Sequence, residues 1–459
     1  MKKLETLFKE KSIISDDLEH RRRIKFNISK YDIAVSKGLT RYANVNLAKN
    51  RAAYIKRDVL KKLDSYLIQF EENIKRRGVE VIWALDAQEA TEEIKKILLD
   101  AECKLLVKSK SMTTEEIDFN EEVEHIGIES VETDLGEFIV QVAGEKPYHI
   151  VTPAMHKSKE DIADLFNKVF HTPPNSTPEA LTAWVRDRLR KLFVSAEVGV
   201  LGANFLVSDI GAISMTENEG NGLLSGSFPK VHIVIAGIEK IIPRFSDLDL
   251  FLPLLASHGT GQQLTVYNSL YLGNKKKNEI DGPERMIVIL LDNGRTNLYS
   301  TELHYEALSC IRCGACLNSC PIYKNIGGYT YNTTYSGPIG SVITPHLKGF
   351  KDYKHLSFAS SLCGKCGEVC PVRIPLPNLL LENRRLANDE NESSFAQNII
   401  FKASSYVLKS RRLMDVLPYK FKNFGLRFVS QSAVGENRIL PKMENVSFSK
   451  QWKEININK

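Results

Sequence analysis

The chain has 459 residues, of which 43% are hydrophobic and 26% charged, and its formal net charge is +6. This length accommodates about three domains, and the composition is that of an ordinary soluble globular protein. Acidic side chains are spread through the first residues, unlike in a signal peptide, and no stretch approaches the roughly 18–20 consecutive apolar residues of a membrane-spanning helix. We therefore expect a soluble, cytoplasmic protein. Because no basic stripe interleaved with aromatic residues is present, we expect no binding to nucleic acid.

Residues 1–78 are predicted to form an N-terminal helical layer. Between residues 48 and 76 apolar side chains recur at three- and four-residue steps with charged residues between them, which is typical of an amphipathic helix. The pair Arg77-Gly78 is typical of a helix end.

Residues 79–297 are predicted to form an α/β domain. Short β-branched runs alternate there with helical segments, which indicates crossover connections and a mostly parallel sheet with helices on both faces. The runs Phe205–Ser208 and Ala212–Thr216 are separated by only three residues and instead predict an antiparallel hairpin. Cys103 lies in an apolar-flanked segment, and we expect it to be a small buried residue.

Two polar loops of this domain are candidates for a ligand pocket. Lys108 and Lys110 follow a predicted strand and precede a predicted helix. Ligands of open α/β sheets bind at the carboxyl ends of strands, and a helix N-terminus offers unpaired N–H groups to an anion. An ordinary capping box formed by Thr113 and Glu116 is an alternative explanation of this loop that the sequence leaves open.

The second polar loop contains Asn218, Glu219 and Asn221 among three glycines. The glycine spacing differs from that of a dinucleotide fingerprint, and the acidic residues would repel a pyrophosphate, so we expect no nicotinamide cofactor. The sequence leaves two interpretations of this loop open: it lines a pocket, or it is an ordinary glycine loop.

Seven of the eight cysteines lie in two runs of one spacing. The run from Cys310 to Pro321 reads C-x2-C-x2-C-x3-C-P, and the run from Cys363 to Pro371 has the same frame without its first Cys. Three thiolates from such a turn ligate one iron–sulfur cubane, and the fourth Cys ligates the other cluster in two-cluster ferredoxins. Structural zinc sites do not need the C-x3-C-P ending, and nothing indicates the export that favours disulfides. The spacing therefore predicts two iron–sulfur clusters.

Pairing by this rule divides the seven thiols between two sites. The predicted ligands are Cys310, Cys313, Cys316 and Cys370 for cluster 1, and Cys320, Cys363 and Cys366 for cluster 2. The second site is one thiolate short, and Ser360 stands where the missing Cys would be. We expect its open iron to take water, Ser360 or an outside ligand, or to be lost and leave a 3Fe-4S cluster.

The residues that flank the two cysteine runs predict the structure of the last two segments of the chain. The long connection between the runs and the helical flanks favour a helical two-cluster ferredoxin-type module over residues 298–388. Residues 389–459 are predicted to form a helical or irregular tail, which either docks a partner subunit or packs on its own protein.

Several segments together resemble the lactate utilization protein B family over nearly the whole chain. They are CIRCGACLNSCPIY and SSLCGKCGEVCPVRIPLP, behind an α/β region with KSKSMTTEEI, ETDLGEFIVQ, GVLGANFLVSD, ENEGNG and HIVIAGIEKIIP. The resemblance implies a LUD (lactate utilization) domain of the ribose-5-phosphate-isomerase-like type, followed by two 4Fe-4S clusters on the cysteines assigned above. It also implies electron transport during oxidation of L-lactate to pyruvate, alongside two partner proteins and an electron acceptor that is unknown.

A cluster-dependent oxidoreductase is the alternative function. In that case the α/β domain itself would bind and convert a small anionic metabolite, using the pocket with Lys108, Lys110, Asn218, Glu219 and Asn221. The sequence identifies no catalytic residue. A redox-sensing regulator is disfavoured because no nucleic-acid-binding motif is present.

Overall fold

A computed structural model describes residues 3–389, 395–416, 418–429 and 442–457. Contacts within the chain divide it into two units, Met1–Arg384 and Arg385–Lys459. The predicted division into four segments stays a prediction. Parts of the predicted tail, namely residues 390–394, 417, 430–441 and 458–459, lie outside the described residues.

The predicted N-terminal layer consists of four helices. They are α1 (Leu4–Lys11), α2 (Leu18–Leu39), α3 (Val45–Lys61) and α4 (Leu63–Lys75). The periodic stretch predicted as a single helix is broken at Lys62, whose backbone is not helical (φ −132°, ψ 35°). Ile28 of α2 and Phe70 of α4 are fully buried and belong to the same hydrophobic core as the cysteine runs. This layer therefore shares one core with the cysteine-containing segment.

The α/β prediction is confirmed by a six-stranded parallel sheet of order β1-β10-β7-β4-β2-β3. The strands are β1 (Glu80–Ala84), β2 (Leu105–Lys108), β3 (Glu129–Glu132), β4 (Val198–Gly202), β5 (Phe205–Val207), β6 (Ala212–Glu217), β7 (Val231–Gly237), β8 (Ile241–Ile242), β9 (Tyr267–Tyr271) and β10 (Arg285–Leu291). The predicted hairpin is also confirmed, because β5 and β6 pair antiparallel within a second sheet of order β8-β5-β6-β9.

Both faces of the parallel sheet are buried. Along β7, Ile233 and Ile235 enter one core, while Val234 and Ala236 enter another. Burial on both faces is typical of parallel sheets and explains the continuous apolar runs of their strands. The helices are α5 (Ala87–Asp100), α6 (Met112–Glu116), α7 (Phe119–Glu124), α8 (Leu135–Val142), α9 (Lys159–Phe170), α10 (Pro178–Ser195), α11 (Asn221–Ser227) and α12 (Leu248–Gly259). Cys103 is buried, as predicted.

The neighbouring strands β2 and β4 mark a switch point in the sheet. From β2 the chain continues to β3 at one edge, whereas from β4 it continues to β7 and β10 on the other side. Such a reversal opens a crevice at the carboxyl ends of the two strands, where open α/β sheets bind ligands. Lys108 and Gly202 end these strands.

The segment that contains the cysteines is helical. Its helices are α13 (Ala315–Ser319), α14 (Tyr323–Ile326), α15 (Gly337–Lys348), α16 (Phe350–Tyr353), α17 (His355–Phe358), α18 (Lys365–Val369) and α19 (Leu376–Asp389). Residues 298–384 contain no β-strand, which confirms a helical module rather than one built on hairpins.

The second unit contains four further helices among its described residues. They are α20 (Phe395–Leu408), α21 (Arg411–Val416), α22 (Tyr419–Val429) and α23 (Phe448–Ile457). Across the described ranges of the whole chain, no helix combines the length and apolar character that crossing a bilayer requires.

Candidate metal centres and the adjoining pocket

The two cysteine runs share one backbone conformation. Arg312 and Leu362, each directly before a Cys, have φ of 60° and 54°. Gly314 and Gly364, each directly after that Cys, have φ of 78° and 86°, and a short helix follows in both runs. Positive φ at a non-glycine residue is strained and persists where the surroundings enforce it, often at functional sites. The repetition of this turn indicates two related sites.

We call Cys310, Cys313, Cys316 and Cys370 the first cysteine set. Burial raises the pKa of the Cys316 thiol, and the negative charges of the other three thiolates raise it further. Burial likewise raises the pKa of Cys313, again with contributions from Cys310 and Cys370. No member of this set is exposed. The fold thus brings Cys370 of the second run to three thiols of the first.

We call Cys320, Cys363 and Cys366 the second cysteine set. Burial raises the pKa of Cys366 to about 11, with contributions from Cys320 and Cys363. Cys363 is exposed. The three residues line a cavity of about 280 Å³, part of which is open to solvent. The second set is therefore nearer to solvent than the first.

Ser360 has the same local position in the second run as Cys310 in the first. The Leu362 N–H donates to Ser360 Oγ at 3.2 Å, just as the Arg312 N–H donates to Cys310 Sγ at 3.4 Å. Ser360 also lines the cavity of the second set. Its hydroxyl consequently lies on the side of the turn where the first run carries a thiol.

The sulfur atoms suit a multinuclear cluster better than a single ion. All eight cysteines are free of disulfides. Within the described ranges, no three cysteine sulfurs lie within 4.8 Å of one another, whereas four thiolates around one zinc at about 2.3 Å would be only about 3.8 Å apart. The buried Nη1 of Arg312, beside Cys310, has no hydrogen-bond partner in the described part of the chain. A cluster would supply acceptor sulfurs for such a donor.

Buried cations surround the first set. Burial lowers the pKa of both Lys56 and Lys240 to about 8, and the Cys310 thiolate is among the charges that oppose this shift. The ammonium of Lys49 lies 3.3 Å from the carbonyl oxygen of Glu368, in helix α18 just before Cys370. These positive charges favour thiolates and any additional negative charge that the site holds.

A buried ionic network joins the first run to the carboxyl edge of the sheet. The Arg295 guanidinium binds both carboxylate oxygens of Glu116 at 2.8 Å and donates through Nε to Glu239 at 2.5 Å. The other oxygen of Glu239 accepts from Arg312 at 3.4 Å. Burial raises the pKa of Glu239, but Arg295 and Arg312 outweigh it and hold this pKa at about 2.

Lys108 lies at the predicted pocket but is already paired. Its side chain is completely buried, and Nζ lies 2.7 Å from Glu132 Oε1 and 2.9 Å from Thr114 Oγ1. Lys110 is half-buried and is an electrostatic neighbour of Glu137 and His149. Of the two lysines, only Lys110 therefore has a charge that is not held in a buried carboxylate pair.

The second polar loop contributes in part to the same region. The Asn221 amide donates to Thr133 Oγ1 at 3.2 Å, just beyond β3. Glu219 accepts from the Leu135 N–H at 3.1 Å. Asn218, in contrast, is exposed and exchanges hydrogen bonds with Gln262 at 3.1 and 3.0 Å. The structure thus places Glu219 and Asn221, but not Asn218, beside the ends of β2 and β3.

The helix after β2 is N-capped, but not by the capping box of Thr113 and Glu116 that was one of the two open interpretations of this loop. Ser111, in extended backbone, precedes α6, and its Oγ accepts from the Thr114 N–H at 3.4 Å. Glu116 is drawn inward by Arg295 and does not reach back to cap the helix. A Cβ at Gly202 would lie 2.5 Å from Ser111 Oγ, so only glycine admits the cap at the switch point.

His149 is a buried residue of this region that the sequence pattern did not single out. Its Nδ1 accepts from the N–H groups of Val151 and Thr152 at 3.1 and 3.2 Å. Burial lowers its pKa to about 3, and Lys110 contributes to the shift. A Cβ at Gly314, in the first run, would lie 3.6 Å from the imidazole. His149 therefore connects the crevice with the first cysteine set, and no local periodicity marks its irregular segment.

Comparison with known proteins agrees with this two-part architecture. The LUD domain family matches residues 67–291, and the 4Fe-4S dicluster domain family matches residues 306–374. Lactate utilization protein B of Bacillus subtilis (strain 168) is 44% identical over 351 residues, which are 76% of this chain and 73% of the relative. The proteins of that name from Shouchella clausii and Geobacillus thermodenitrificans are each 43% identical, over 76% and 77% of this chain and 74% of each relative. The chain belongs to the lactate utilization protein B family.

Proposed function

We propose that this chain is an iron–sulfur electron-transfer subunit in the oxidation of L-lactate to pyruvate. The observation that carries the proposal is the assembly of seven free thiols into two sets within the segment that matches a 4Fe-4S dicluster domain. The first set would hold one 4Fe-4S cluster, and the second set a 4Fe-4S or 3Fe-4S cluster. Bound clusters would accept and donate single electrons.

The two cysteine sets have different surroundings, which supports a different function for each set. The first set lies beside the carboxyl edge of the sheet, through Arg312 and Glu239, and none of its four cysteines is exposed. The second set includes the exposed Cys363 and a cavity partly open to solvent. In this proposal the second set faces the partner with which electrons are exchanged. Two further lactate-utilization proteins in the cytoplasm would act with the chain.

The proposal is tested by anaerobic purification followed by iron and sulfide analysis and EPR. Spectra are recorded with L-lactate alone, with the partner proteins alone, and with both. We expect signals of reduced clusters only when lactate and the partner proteins are both present. Reduction by lactate with this chain alone would overturn the carrier function and assign the dehydrogenation to this chain. A purified protein without any reducible cluster would contradict both assignments.

A second candidate function is conversion of a small anionic metabolite by the α/β domain itself. The favouring observation is the crevice beyond β2, where the buried Ser109 Oγ has no hydrogen-bond partner in the described part of the chain and Lys110 lies one residue further on. Calorimetric titration of the full-length protein with lactate and pyruvate tests it. Binding that Lys110→Gln abolishes and Lys104→Gln preserves would support it, since Lys104 is exposed at the opposite end of the strand. Absence of binding would leave the carrier function.

A further inference from the structure

Three glutamates meet beside the crevice, and the cysteine sites do not use them. They are Glu115 on α6, Glu132 at the end of β3 and Glu137 on α8. One carboxylate oxygen of each lies within 4.8 Å of the corresponding atoms of the other two. The three residues line a cleft of about 870 Å³, part of which is open solvent.

Glu137 is a buried residue whose carboxylate lines the cleft without a direct partner. Only 2% of this residue is exposed, yet its carboxylate has neither a hydrogen bond nor an ion pair within the described ranges, only longer-range interactions with charged neighbours. The second oxygen of Glu132 is likewise buried and without a partner there. Buried polar groups are nearly always satisfied, so the Glu132 oxygen indicates a missing ligand. The unpartnered Glu137 carboxylate lines the same cleft and is available to that ligand.

Charge balance defines the kind of ligand. Lys108 is the one ammonium paired with the three carboxylates in the described structure, at 2.7 Å from Glu132 and 3.4 Å from Glu115. Lys146, at the rim, is paired with Asp118 and Glu121 instead. When all three glutamates are ionised, their carboxylates carry two more negative charges than the paired Lys108 ammonium offsets. Lys110 is a further positive neighbour of Glu137 but forms no ion pair with it. Uncompensated buried charge, here on Glu137, is costly.

We propose that Glu115, Glu132 and Glu137 form a site for one divalent cation that prefers oxygen ligands, Mg²⁺ or Mn²⁺. Carboxylate oxygens are the ligands that these ions favour, and a doubly charged ion offsets the two excess charges. Lys108 approaches Glu132 through Oε1, which leaves Oε2 and the Glu137 carboxylate for the ion.

The rim of the cleft supports a cation rather than an anion. Its further carboxylates outnumber its single cation, Lys146, and would raise the local concentration of positive ions. These carboxylates belong to Asp118, Glu121, Glu124 and Glu145, of which Glu145 is paired with Lys157. The cleft is therefore a poor site for a free carboxylic acid.

The experiment uses the full-length, cluster-containing protein, freed of loosely bound metal by anaerobic treatment with EDTA. MnCl₂ is added at room temperature, and EPR of aqueous Mn²⁺ reports the unbound ion. We expect about one Mn²⁺ bound per chain, displaced by excess Mg²⁺. Glu137→Gln and Glu132→Gln should each weaken binding by about tenfold or more, because affinity follows the number of charged ligands. Glu121→Gln, at the exposed rim, is the matched control and should leave affinity within about twofold.

A second variant keeps the test valid if the glutamine variants fold poorly. In Lys108→Met the competing ammonium is absent, so Mn²⁺ should bind several-fold more tightly and raise Tm more than in the unaltered chain. No uptake of Mn²⁺ in the unaltered chain, or uptake that both glutamine variants retain, would overturn the proposal. A carboxylic-acid infrared band that Glu137→Gln removes, without any Mn²⁺ uptake, would also overturn it and assign a proton to the site.

Discussion

The two cysteine sets are formed by the same backbone turn in different electrostatic surroundings. Arg312 and Leu362 have the same left-handed conformation, but the first turn carries a guanidinium that reaches Glu239 of the sheet edge, and the second carries an apolar side chain. Lys56 and Lys240 are buried near Cys310, whereas Cys363 of the second set is exposed. The comparison teaches that the motif determines where thiols are placed, while the neighbouring domain determines the charge and the access to water around them.

The largest effect is expected from removal of a thiol of the first set. Cys313→Ser should lower iron and labile sulfide by about half, because one of the two proposed clusters loses an anionic ligand. Metal analysis and EPR of anaerobically purified protein measure this loss. Cys103→Ala is the control, since this buried thiol lies outside both sets and iron content should be unchanged. Full iron content in Cys313→Ser would contradict the assignment.

The next effect concerns the link between the first set and the sheet. Glu239→Gln leaves Arg295 and Arg312 without their shared buried carboxylate and should destabilise the protein by about 3–5 kcal/mol. The folded-state pKa of Glu239 is about 2, below its usual 4.5. Its stabilisation is therefore present above about pH 4.5 and is lost as the pH falls toward 2.

Thermal unfolding at pH 7 and at pH 3 measures this effect. The difference in Tm between the Glu239→Gln variant and the unaltered protein should be large at pH 7 and smaller at pH 3. Glu368→Gln removes the exposed partner of Lys365 in the second run but keeps the backbone carbonyl that Lys49 contacts, so it should leave the unfolding curve unchanged. If both substitutions lowered Tm equally, the stabilisation could not be assigned to the buried ionic network beside the first set.

Addition of a thiol should make the two sets more alike. In Ser360→Cys the second set gains the residue that the first run has at Cys310, and loss of iron in air should slow by about tenfold because a four-thiolate site is closed. Timed iron assays and the EPR signal of a 3Fe-4S cluster report the change. Ser361→Cys, at the adjacent exposed position, should behave like the unaltered chain. An unchanged spectrum and iron content in Ser360→Cys would show that this position does not face the cluster.

The smallest expected effect is on reduction potential. Lys240→Met removes a buried positive charge near Cys310 and should lower the midpoint potential of the first cluster by roughly 50 mV, equivalent to about 1 kcal/mol of lost attraction at an effective dielectric constant near 20. An EPR-monitored redox titration resolves the two clusters. Lys365→Met, at an exposed position in the second run, should shift neither potential appreciably. If Lys240→Met shifted the midpoint potential of the second cluster, the conclusion that the two sets have different electrostatic surroundings would be wrong.

Local patterns were sufficient to predict the parallel sheet and the hairpin, because each depends on spacing along the chain. The buried ion pairs could not be predicted in this way. Glu116 and Arg295 are 179 residues apart and meet only once the sheet has formed. The capping box of Thr113 and Glu116 does not form, because α6 begins directly after Ser111, which caps it, and Arg295 binds the Glu116 carboxylate. Likewise, Lys108 was recognised as polar, but its neutralisation by Glu132 depends on the pairing of β2 with β3.

The position of Cys370 beside three thiols of the first run has a consequence for biosynthesis. During translation Cys310, Cys313 and Cys316 leave the ribosome before Cys370 has been joined to the chain. Cys320 likewise leaves the ribosome before the other two thiols of its set, Cys363 and Cys366, have been joined to the chain. Neither set is complete in a nascent chain that ends before residue 366, so clusters held by these sets would be delivered only after synthesis of nearly the entire module. A stalled or truncated chain of that length would expose unassembled thiols to oxidation.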